Sequence, residues 1–98
     1  MKLADFEMME TVSPKGVQVV LQFGDKYDLS IVQNEMSYGN KQGLYEIAVI
    51  DKTSCEQVNL PGITEEGDTV KGFLTESDVN VIIKKMHLAT GAEPTQIC

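Results

Sequence analysis

The hydrophobic spacing of this chain changes once, from a period of two to a helical period, and that switch restricts the fold more than any other feature. Through the first three quarters of the sequence apolar residues tend to alternate with polar ones. Val17, Val19, Leu21 and Phe23 are interleaved with Gln18 and Gln22, and Tyr27, Leu29 and Ile31 with Asp28 and Ser30. Alternation places successive side chains on opposite faces of a strand, so one face is set to be buried. From Thr75 onward the rhythm differs. Val79, Ile82, Ile83, Met86 and Thr90 fall on one side of a helix. Thr75-Glu76-Ser77-Asp78 offers a capping hydroxyl with an acid three residues later, Gly91 suits a C-terminal cap, and Pro94 prevents continuation. The spacing predicts a helix from Glu76 to about Thr90. Glu76 and Asp78 at its start and Lys84, Lys85 and His87 toward its end complement the helix dipole.

The strands follow from the turn residues between them. Gly24-Asp25 reads as a two-residue hairpin turn, because glycine accepts the positive φ that such turns need. The next strand is expected from about Lys26 to Gln33. A polar stretch over Asn34–Gly43, long for a hairpin connection, separates it from Leu44–Ile50, which is apolar enough to be central. Asp51–Ser54 reads as a turn and Cys55–Leu60 as a strand broken by Pro61-Gly62. Val70–Leu74 is a further short strand, and Leu3–Val12 another, ended by Ser13-Pro14-Lys15-Gly16. The expectation is therefore one α+β domain over residues 1–98. Its sheet is an antiparallel meander of about four to six strands, with one long C-terminal α-helix packed on one face.

Charge narrows the function. Fifteen Asp and Glu stand against eight Lys, with no Arg, for a formal net charge of -7. The lysines are scattered, and only Lys84 and Lys85 adjoin. Binding to nucleic acid or to an anionic membrane surface needs clustered cations, so direct contact with either is not expected. The acidic excess serves solubility, or else mimics nucleic acid toward a basic partner. The longest apolar run is Ile47–Ile50, too short for a membrane span, and Met1–Glu10 carries three acids where a secretory signal would be basic. A cytoplasmic location is expected. Cys55 and Cys98 form no C-x-x-C, and free thiols are the simple expectation, with a link from tail to sheet as the alternative.

Candidate working residues are few. Val81 and Leu88, seven residues apart, align on the helix side opposite the Val79–Met86 stripe, where exposed apolar groups suit a dimer or partner contact. They are equally readable as scattered surface residues or as covered by the N-terminal segment. The loop Met36–Gly43 offers Met36 and the ring and hydroxyl of Tyr38, with Gly39 and Gly43 allowing close backbone approach. Its spacing matches no phosphate-binding motif. Glu65, Glu66, Asp68, Glu76 and Asp78 form an acidic neighbourhood that a divalent cation would favour, though a solvated acidic face explains it as well. The single histidine, His87, has no nucleophile motif to serve. No catalytic residue, resident metal or cofactor is assigned.

Ser37-Tyr38-Gly39, the run Gly43–Val49, and Asp68–Glu76 followed by Asp78-Val79 resemble a group of small uncharacterised proteins of tailed bacteriophages. The resemblance covers somewhat more than half the chain. It implies a phage product working in the cytoplasm of an infected bacterium, and it transfers no activity or site residue. The expectation is a small acidic accessory protein, not an enzyme, that acts by protein–protein contact on a host protein and self-associates as a homodimer. The residues expected to carry the contact are Val81, Leu88, Tyr38 and Met36. The alternative is a small-ligand or divalent-metal-binding module using the 34–43 loop and the 65–78 acidic segment.

Overall fold

The alternating segments pair into an antiparallel sheet, and the helical segment lies across one of its faces, giving an α+β architecture. The computed structural model describes residues 1–37 and 39–97. Among them the strands are β1 (Met9–Val12), β2 (Lys15–Phe23), β3 (Tyr27–Asn34), β4 (Tyr45–Asp51), β5 (Glu56–Val58), β6 (Val70–Leu74) and β7 (Thr95–Gln96). The helix α1 spans Glu76–Thr90, and short 3-10 turns occupy Leu3–Asp5 and Asn40–Gln42.

Strands β1 to β5 run as a meander in spatial order. The registers then explain the core. Val19, Ile31 and Ile47 are cross-strand neighbours, as are Leu21, Leu29 and Val49, so the alternating apolar residues of three strands form rows on one face. All six are fully buried, under Val79, Ile82, Ile83 and Met86 of α1. Burying a side chain of this size contributes about 1.5–3 kcal/mol, which is why the pattern dictates the face. The opposite face carries rows of mixed character, Gln18–Val32–Glu46 and Val20–Ser30–Ala48.

Two strands share each outer flank of the sheet. β1 covers one end of β2 and β7 the other, while β5 and β6 divide the free side of β4. β7 belongs to no sequence expectation. It closes the chain ends together: Gln96 accepts from the Glu7 N–H at 2.9 Å and donates to the Glu7 carbonyl at 2.6 Å.

Three local expectations need correction. Leu3–Val12 is not one strand, because Leu3–Asp5 turns inward to bury Leu3 and pairing begins at Met9. The β2–β3 turn holds three residues, since Phe23 pairs with Tyr27. Lys26 stays in the turn, its Nζ 5.4 Å from the Tyr27 ring centroid. The expected strand Cys55–Leu60 shrinks to Glu56–Val58. At its front Asp51 holds the turn through Cys55: its carbonyl accepts from Cys55 N–H at 2.7 Å and its Oδ1 from Thr53 N–H at 2.8 Å. Beyond Val58, Leu60 N–H donates to Thr64 Oγ1 at 2.9 Å, folding the Pro61-Gly62 segment so that Ile63 plugs the core.

Candidate functional site

The helix places its own outer face. Asp78 N–H donates to Thr75 Oγ1 at 3.1 Å and Thr75 N–H to Asp78 Oδ2 at 3.0 Å, a reciprocal cap that fixes the first turn. The Thr75 backbone N–H foremost, then the Thr75 hydroxyl, hold the Asp78 carboxyl below the usual aspartate range. At the far end Gly91 adopts φ 71° and donates its N–H to the His87 carbonyl at 2.8 Å. With both ends set, one side of α1 is committed to the core and the opposite side is left with Val81 at 53% and Leu88 at 70% exposure. The N-terminal segment does not cover them.

That segment does flank them. Leu3 N–H donates to Asn80 Oδ1 at 2.7 Å, so the 3-10 turn is stapled to α1 and carries Met1 and Lys2 alongside it. The main-chain amino group of Met1 pairs with Asp5 at 3.0 Å, and the Asp5 carboxyl lies below its usual range, chiefly because Lys2 N–H donates to it. Between turn and helix lies an open hollow of about 370 Å³, lined by Met1, Lys2, Asn80, Val81, Lys84 and His87. Met1 is itself 47% exposed. Apolar side chains with two lysines at the rim thus extend the face that Val81 and Leu88 begin. Nothing in the spacing of residues 1–10 signalled this, because the staple joins residues 77 positions apart.

The other candidates stand elsewhere. Met36, 77% exposed, lines a hollow over the uncovered sheet face with Ser30 and Ala48, so it does not join Val81 and Leu88. Tyr38 lies outside the described residues. The acidic neighbourhood is divided among separate duties: Glu65 pairs with Lys71 at 3.6 Å, and Asp78 caps the helix. Among the described residues no three His, Cys, Asp or Glu side chains lie together as a metal cluster would require. His87 Nδ1 lies 2.8 Å from the Ala92 carbonyl. A carbonyl only accepts, so Nδ1 carries the proton and Nε2 is the basic nitrogen when the ring is neutral. Cys55 is exposed in its turn rather than paired in a strand, and Cys98 lies outside the described residues. Among the described residues, no helix is long and apolar enough to cross a membrane. Comparison with known protein families, with curated proteins and with solved structures finds no match.

Proposed function

We propose that the chain is a small acidic accessory protein of a tailed bacteriophage, working in the bacterial cytoplasm by binding another protein, with no catalytic step. What supports the reading is the exposure of Val81 and Leu88 on a helix whose opposite side is fully committed to the core. Two large apolar side chains on one ridge, extended by Met1, are what a protein partner buries, and they offer nothing to a reaction. The mechanism is occlusion: the ridge seats against a host protein and covers its working surface.

The test is Leu88→Glu. Because Leu88 is surface-exposed, the substitution is expected to leave the melting temperature unchanged while removing a partner retained from bacterial lysate by the unaltered chain. The partner identified by mass spectrometry is then purified and its affinity measured by calorimetry for both forms. Equal affinity for the two forms would sink the assignment of this face.

A further inference from the structure

We propose that the hollow on the sheet face away from α1 binds a guanidinium group, the head of an arginine. It lies on the other side of the sheet from Val81 and Leu88, so the two readings stand or fall separately. The strand registers build it. Gln18, Val32 and Glu46 are cross-strand neighbours on β2, β3 and β4, so Val32 forms a floor with an amide on one side and a carboxylate on the other. Neighbouring Cβ atoms across strands stand ~5 Å apart, which puts ~10 Å between Gln18 and Glu46, room for one flat group. The next row continues the floor with Ser30 and Ala48, both buried. At the end of β3, Ser37 Oγ accepts from Asn34 N–H at 2.9 Å and donates to the Asn34 carbonyl at 2.9 Å, a closed turn that sets Met36 as a wall.

Size and charge select the occupant. The hollow measures about 250 Å³. Drug-sized ligands and cofactors fill ~300–1,000 Å³, so this one admits a single amino-acid side chain or a molecule of that size, not a nucleotide. Among the described residues Glu46 is the one charged side chain in its lining, and no Lys or His joins it. An anion would therefore meet a carboxylate without any counter-charge. Gln18 commits its Nε2 to Ser30 Oγ at 3.1 Å and keeps its Oε1 as an acceptor. Acceptors on both sides of an aliphatic floor call for a flat cation that donates in several directions. A guanidinium carries its donors in one plane and is weakly hydrated, so it lies on Val32 and bonds both walls, whereas an ammonium is a compact and strongly hydrated point charge. The chain has no Arg of its own, so the group comes from another molecule, and the net charge of -7 draws it in.

A protein's arginine side chain and free arginine share this chemistry. N-acetyl-arginine amide and L-arginine, titrated separately into the 15N-labelled chain, distinguish the two. Amide shifts are expected to saturate with a Kd of about 1 mM, the weak affinity of a lone side chain. They should be confined to β2, β3 and β4 around residues 18, 32 and 46. N-acetyl-lysine amide should bind about fivefold more weakly. Tighter binding of the capped arginine assigns a protein side chain, and tighter binding of L-arginine assigns the free amino acid. Glu46→Gln should weaken binding about tenfold. Val32→Lys should abolish it by tethering a cation beside Glu46, and this second variant carries the test should Glu46→Gln lose the native amide spectrum. Absence of saturable shifts, equal affinity for the lysine compound, shifts scattered over the acidic surface, or undiminished binding by the folded variants would overturn the site.

Discussion

Gly16 shows how much a single residue can decide here. Its spacing in Ser13-Pro14-Lys15-Gly16 reads as part of a turn, yet in the structure it sits inside β2, opposite Asn34 of β3. A Cβ at this position would fall well inside contact distance of the Asn34 Cα and the Gln33 carbonyl. Those neighbours are backbone, held by the β2–β3 register, and cannot swing away as a long side chain could. Gly16→Ala is therefore expected to destabilise by about 1–3 kcal/mol through overpacking. Urea unfolding measures it, and a loss within about 0.5 kcal/mol, the range of an ordinary surface change, would show that this end of the hairpin yields.

Among the elements, α1 is the one whose sequence specifies both its ends, and its cap gives a pH signature. Thr75→Ala removes the hydroxyl that accepts from Asp78 N–H and is expected to cost about 1 kcal/mol. Asp78 itself is bound as a carboxylate in the fold, so its folded value lies below its unfolded one. Its contribution is then complete above the unfolded value and is lost as pH falls through the lower folded value. Asp78→Asn should be less stable than the unaltered chain at neutral pH. The gap should close on acidification below about pH 4. Chemical unfolding at a series of pH values checks this, and parallel curves for the two proteins would refute it. The same locality explains what was legible. Thr75, Asp78 and Gly91 lie within or next to the helix they bound, and the face carrying Val81 and Leu88 follows from spacing alone. β5 and β7 were misread or missed because two- and three-residue strands exist only through the strands beside them. Ile63 sits in a Pro-Gly segment with no period, and hydrogen bonds of Ile63 and Thr64 to Leu60, with Lys85 Nζ donating to the Gly62 carbonyl, hold the turn that points it inward. The Met1–Lys2 flank depends on Asn80, far away in sequence.

At the scale of the whole molecule, the core and the proposed binding surface lie on opposite sides of one helix. The Cα radius of gyration is 12.3 Å, close to the ~13 Å of a compact chain of about 100 residues. A chain of this length has about 5–10 kcal/mol of net stability to lose. Ile83 is fully buried in the cluster that joins the helix to β2, β3 and β4, so Ile83→Ala leaves a cavity costing about 2–5 kcal/mol. Because that core unites the sheet with its helix, the loss is expected as one cooperative transition moved down by roughly 10–25 °C, without a new intermediate. The surviving folded fraction should still present Val81 and Leu88, so binding per folded molecule should be unchanged well below the lowered midpoint. Leu88→Glu should do the reverse, keeping the midpoint and losing the contact. Calorimetric melts paired with an affinity measurement on each variant distinguish these outcomes. If Ile83→Ala abolished binding while its near-ultraviolet circular dichroism stayed native, the working surface would have to include the inner side of the helix, and the separation of the two faces would fail.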